Sequence, residues 1–148
     1  MKAGDKGMEK WLSEYFERDR LARILDFNID DASEGYASVS VDIDEKHLNG
    51  ADMVHGGTMF ALADFALAIA CNYKGILSVS TNASISFMKA AAGKHLKAEA
   101  RCVNETRKLG FYTIDVIDGD EIISRMEATV YITGKENLVL KKYKEEGK

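Results

Sequence analysis

The residues best suited to chemistry are one carboxylate and one pair of glycines, eight positions apart. Asp64 interrupts the most apolar stretch of the chain. That stretch runs from Gly56 to Cys71 and reads Gly-Gly-Thr-Met-Phe-Ala-Leu-Ala-Asp-Phe-Ala-Leu-Ala-Ile-Ala-Cys. Ala and Leu dominate it and Pro and Val are absent, so a helix is expected. Almost every position is apolar, so this helix is expected to have no wet face and to be buried all round. An ionised Asp in such a place is costly unless it is paired or does chemistry. It can act as a general base with raised proton affinity, or attack a carbonyl directly. The bland alternative is an acid hydrogen-bonded to backbone or a serine, although Asp is a poor helix-interior residue.

His55-Gly56-Gly57 stands at the start of the same helix. Unpaired backbone N–H groups point outward there, the dipole adds partial positive charge, and glycine lets a ligand approach closely. Such a turn can hold a phosphate, a carboxylate or the oxyanion of acyl transfer. One good oxyanion donor lowers a barrier by roughly 2.7–4 kcal/mol. Alone, the triplet is equally a tight turn where helix meets sheet. His55 is either a proton shuttle or a lock on the loop, and the lock is preferred. Along one helix, Asp64 lies about 12 Å from Gly56. A base must come within about 3.2 Å of its proton, or act through one water. If both groups serve one carbonyl, the acid must come from a second copy, which predicts an obligate dimer with two composite sites.

The surrounding elements must position these groups. A first helix is expected from about Met8 to Ile24, where Trp11, Leu12, Tyr15, Phe16 and Asp19 recur at helical spacing. Asp30 to Gly35 reads as a turn. Ala37, Val39, Val41 and Ile43 alternate with polar residues and mark a strand. The loop from His47 to Val54 leads into the central helix, which Asn72-Tyr73-Lys74-Gly75 closes with a glycine cap. Four further strands follow, on the alternations Val79 to Phe87, Leu96 to Cys102, Tyr112 to Val116 and Met126 to Ile132. Asp118-Gly119-Asp120 is a hairpin turn between the last two. Short turns favour antiparallel pairing, and only the central helix is apolar enough to cover the sheet's dry face. The expected fold is α+β: a curved antiparallel sheet wrapped around one long buried helix. Residues 1–148 form one domain, with a helical extension over 1–34 and a charged tail over 135–148 that frays or forms a short surface helix.

Composition narrows the class. The chain has 148 residues, 46% hydrophobic and 30% charged, with a net charge of −4. That length allows a real core, and the charge argues against a nucleic-acid partner. Cys71 and Cys102 both fall in apolar patterns and read as small buried hydrophobes in a reducing cytoplasm. The start, Met1 to Lys6, has no apolar core behind it and reads as no secretory signal. The apolar run is too short for a membrane span. Three scattered histidines make no zinc site, and His47 and His95 are expected at the surface.

The run Asn49-Gly50-Ala51-Asp52-Met53-Val54-His55-Gly56-Gly57, with Asp64 following in Ala61-Leu62-Ala63-Asp64, resembles the hotdog-fold acyl-CoA thioesterases of the phenylacetate-degradation type. The resemblance extends from about Gly35 to Thr133. It implies that a backbone N–H of Gly56 or Gly57 polarises the thioester carbonyl, and that Asp64 of the opposite subunit activates water or attacks. It implies that Asn49 positions the water or the acid and that Ser80 assists near the thioester. His55 is carried with this set. By resemblance, Asn82, Phe87, Asn104 and the Arg107-Lys108 turn meet coenzyme A, and Lys89 and Lys94 join the arginine and lysine as a basic cluster for its phosphates. Glu105 is an acidic departure within that turn. Coenzyme A enters as part of the substrate, with no separate cofactor. A homodimer, assembled as a dimer of dimers, is implied. Met59 and Phe60 are expected to line the acyl pocket. Two other classes stand beside hydrolysis. One is a non-enzymatic acyl-CoA-binding or regulatory module, and the other a dehydratase of hydroxyacyl thioesters that would need His55.

Overall fold

The computed structural model describes residues 9–147. Met8 and the Met1–Lys6 segment lie outside them. The elements follow in chain order: α1 (Lys10–Phe16), α2 (Arg20–Ile24), β1 (Asn28–Ser33), β2 (Tyr36–Asp42), a 3-10 turn (Glu45–His47), α3 (Gly56–Asn72), β3 (Ile76–Phe87), β4 (His95–Glu105), β5 (Leu109–Asp118), β6 (Glu121–Glu136) and α4 (Leu138–Glu146). All six strands form one antiparallel sheet in the order β1-β2-β4-β5-β6-β3. This sheet curves around α3, as the alternation of its strands requires. Ala37, Val39, Val41, Leu96, Ala98, Ala100, Ile114, Val116, Met126 and Val130 all turn inward and are buried. They meet Leu62, Phe65, Ala66, Leu67 and Ile69 of α3. Each large side chain buried this way contributes on the order of 1.5–3 kcal/mol.

Two expectations about the chain's first third fail for local reasons. The single N-terminal helix is two, because Asp19 accepts the Ala22 N–H at 3.0 Å and starts a new helix as its N-cap. The stretch Asp30 to Gly35, expected to be a turn, holds the end of β1. Only Glu34 and Gly35, the glycine at φ +72°, turn the chain. β1 was invisible because just one of its residues, Ile29, is fully buried.

The first and last described helices pack on each other. Trp11 lies 5.7 Å from the Tyr73 ring, and Lys144 sits 4.5 Å over the Trp11 ring. The charged tail continues β6 to Glu136 and then forms α4, which anchors through the fully buried Leu140. Gly75, at φ +93°, ends α3 as the glycine cap requires. No described helix is long and apolar enough to cross a membrane.

β3 is an edge strand. Val79 and Phe87, expected on a dry face, are 46% and 52% exposed. A register shift between Ser80 and Asn82 breaks the strand's alternation.

Candidate active site

The glycine pair is explained by two close contacts. A Cβ on Gly57 would stand 2.9 Å from His55 Nδ1, and one on Gly56 would stand 3.3 Å from the Phe87 ring. Neither glycine needs a left-handed φ. His55 is the N-cap of α3, and its Nδ1 accepts the Gly57 N–H at 2.8 Å. The Thr58 and Met59 N–H groups both donate to the His55 carbonyl, at 2.9 and 3.3 Å. The Gly56 N–H has no acceptor among the described residues. A substrate oxygen can therefore take the Gly56 N–H directly, and the Gly57 N–H only by displacing the exposed imidazole.

His47 holds this turn in place, contrary to its expected surface position. It is fully buried. Its Nδ1 accepts the Asp44 N–H at 2.9 Å, so Nε2 carries the proton and donates it to the Leu25 carbonyl at 2.7 Å. The His47 carbonyl in turn accepts the His55 N–H at 2.8 Å and the Thr58 hydroxyl at 3.0 Å. One residue, through its imidazole on one side and its carbonyl on the other, thus ties the end of α2 to the start of α3. A lone histidine in a charged run, Asp44-Glu45-Lys46-His47, gives no sequence signal of burial. His95 is exposed as expected, 2.8 Å from Asp42.

Asn49 organises the loop between them. Its Oδ1 accepts the Ala51 and Met53 N–H groups at 2.9 and 3.1 Å. The oxygen is spent on its own loop, and only the amide N–H groups are left to face a substrate.

Asp64 overturns the expectation of a helix buried all round. Gly57, Phe60 and Asp64 are exposed, and Ala61, Ala68 and Cys71 are half-buried. These positions recur at helical spacing and form one open stripe along α3. The sheet wraps the helix from one side only. Asp64 has no hydrogen-bond or ion-pair partner among the described residues, so none of them supports the reading of a satisfied structural acid. Although Asp64 reaches solvent, the apolar side chains packed around it partly desolvate its carboxyl and push it above the ordinary range, and the negative charge of Asp19 adds to the shift. α3 is unbroken, so Asp64 and Gly56 stay about 12 Å apart within one chain. Cys71 is no rival nucleophile, because burial pushes its thiol up to about 12.

The residues carried by resemblance to a coenzyme site fall into two groups. Phe87 and Lys89 lie at the glycine end, where Lys89 pairs with Glu121 at 2.7 Å. Asn104, Arg107 and Lys108 lie at the other end, beside Glu105 and its partner Lys74. The ten-residue β5 spans the sheet between the ends, roughly 30 Å. One chain therefore does not gather Lys89, Lys94, Arg107 and Lys108 into a single basic cluster. Ser80 and Asn82 are exposed on β3. Ser80 is roughly 23 Å along the strand from Phe87, toward the end of the sheet where Ser78 meets Asn72 at the close of α3. Asp19 escaped the sequence reading, which ran one helix through it; an Asp ahead of a helix-forming run was the signal for a second N-cap.

Comparison with known proteins gives these features a lineage. The Thioesterase superfamily model matches residues 51–124, from the loop before the glycine turn into β6. An inferred esterase of Archaeoglobus fulgidus is 40% identical over 118 residues, covering 78% of this chain and 77% of its own. The acyl-coenzyme A thioesterase PaaI of Escherichia coli is 35% identical over 104 residues, covering 70% and 74%. The solved structure of the E. coli PaaI protein from the phenylacetic acid degradation operon superposes with a TM-score of 0.79 at 27% identity, over 88% of this chain and 99% of that one. The sheet wrapped on one helix is the hotdog fold these structures share. Fold, family model and relatives aligned over most of their length agree, and the chain belongs to the thioesterase superfamily.

Proposed function

We propose that this chain hydrolyses an acyl-CoA thioester to free acid and coenzyme A. The observation that carries the reading is Asp64, an unpartnered carboxylate on the open face of a helix whose first turn offers a free N–H. The acyl-coenzyme A thioesterase among its relatives supports the substrate class. In this reading the thioester oxygen sits at the glycine turn, where backbone N–H groups stabilise the negative charge that develops on it. Asp64 of a second copy takes a proton from water as the water oxygen bonds to the carbonyl carbon, or attacks that carbon itself. In the first route the carbon–sulfur bond then breaks and the proton held by Asp64 passes to the departing thiolate; in the second the thiolate leaves a mixed anhydride on Asp64, and water hydrolyses that anhydride to the free acid and the regenerated carboxylate, supplying the thiol proton.

Two open surfaces support a dimer. β3 presents an unpaired backbone edge, and the α3 stripe presents Phe60 beside Asp64. Pairing two β3 edges antiparallel about a two-fold axis brings the Arg107-Lys108 turn of one copy to the glycine end of the other. The two halves of the coenzyme site then meet across the interface. A dimer of dimers in the cytoplasm completes the reading.

Mixed dimers test it. Asp64→Asn and Gly57→Ala chains, each inactive alone, are co-expressed. Half of random dimers pair the two types and each restores one site, so about a quarter of wild-type activity returns. No recovery in verified mixed dimers overturns the shared site. Absence of thiol release by the wild type from aryl, short and long acyl-CoAs overturns hydrolysis, and thermal stabilisation by those compounds would then point to a binding module.

A further inference from the structure

The N-terminal extension builds a second feature on the open face of α3. Its elbow, between α1 and α2, faces the start of α4 across a cavity of about 420 Å³, a volume typical of small-ligand sites. Ala68 and Asn72 form the floor. They follow Asp64 by one and two turns on the same helix face, about 6 and 12 Å along the axis. Phe16, Leu77 and Val139 supply apolar wall.

The polar groups here divide sharply into spent and open. The amide of Asn72 donates to the Ala68 and Ser78 carbonyls and accepts the Ser78 N–H. The Tyr15 hydroxyl accepts from Asn137, and Asp19 caps α2 through the Ala22 N–H. Arg18 and Arg20, both exposed at the mouth, have no carboxylate partner among the described residues. Arg20 donates only to the Arg18 carbonyl, at 3.0 Å. Two guanidiniums against one carboxylate leave the lining net positive.

We propose that this cavity seats the far end of the acyl group, and that the group it takes ends in a carboxylate. The proposal rests on the thioesterase reading above. In the composite site the thioester carbon lies at Asp64. An acyl chain running on along the same copy's helix passes over Ala68 toward Asn72. The apolar walls suit a methylene spacer, and the guanidinium forks suit a terminal carboxylate. The extension thereby selects the acyl group, while the sheet and α3 carry the chemistry.

The test compares kcat/KM for acetyl-, octanoyl- and suberoyl-CoA with the full-length dimer. Suberoyl-CoA is expected to exceed octanoyl-CoA by about tenfold. Arg18→Gln and Arg20→Gln together should bring that ratio near one. Ala68→Leu, which fills the floor, should lower the ratio of both long substrates to acetyl-CoA. Octanoyl-CoA preferred by the wild type overturns the subsite, as does an arginine double variant that slows all three substrates equally. If Ala68→Leu releases monomers on size exclusion, a second copy fills the cavity and the subsite is overturned. No hydrolysis of any of the three instead brings down the thioesterase reading, and the subsite with it.

Discussion

Replacing His47 with leucine tests how the glycine turn is held. Leucine fills similar space but leaves two partners unmet, the Leu25 carbonyl and the Asp44 N–H. Leu25 is half-buried and Asp44 exposed, so water reaches the second more readily than the first. An unmade buried hydrogen bond costs about 1–3 kcal/mol, and the uneven pair sums to about 2–4 kcal/mol. For a chain of this length that is a fall in Tm of roughly 6–16 °C. The damage also reaches the site. The His47 carbonyl holds the His55 N–H and the Thr58 hydroxyl, so a displaced backbone misaims the N–H groups of the turn. Scanning calorimetry reads the first effect and kcat/KM for thioester hydrolysis reads the second. His95→Leu is the control, since its partner Asp42 is exposed and such surface changes usually stay within about 0.5 kcal/mol. Equal Tm values for the two variants, with hydrolysis intact in both, would refute the assignment of His47 as the anchor of the turn.

Two further outcomes follow from the charges around α3. Asp19→Asn keeps the N-cap of α2, because asparagine caps as well as aspartate, but removes the negative charge that helps hold the Asp64 carboxyl high. The acidic limb of the kcat/KM profile should therefore move to lower pH, with Tm nearly unchanged; a fixed limb means Asp19 does not act on the ionised acid. Asp64→Asn should raise stability at neutral pH. A carboxyl whose folded pKa lies above its unfolded value favours the protonated form, so its penalty is absent below the unfolded pKa and complete above the folded one. The gain in Tm over wild type should shrink as pH falls through that window, and a gain independent of pH sinks the idea.

Much of the fold was legible in local patterns. The alternation in β2 and β4 to β6 predicted their inward faces, since a strand buries every second residue when one side is dry. Gly119 at φ +62° and Gly75 at φ +93° stand where turn and cap chemistry predicted them. The misses share one cause. β1 has a single fully buried residue and so carries no periodic signal, and the break at Asp19 depends on a cap rather than on hydropathy. His47 and Asp64 exchanged places: the histidine in a charged run is buried, and the acid in an apolar run is exposed.

The sequence by itself determined the central helix, five of the six strands, and the roughly 12 Å that part Asp64 from Gly56, because these depend on spacing along one chain. Only the tertiary structure decided which apolar surface stays open. Hydropathy reports that α3 is apolar on every side, but the sheet has just one concave face to offer it. The stripe left over, with Asp64 at its centre and the N-terminal elbow at its edge, arises from how the layers close and from no single segment.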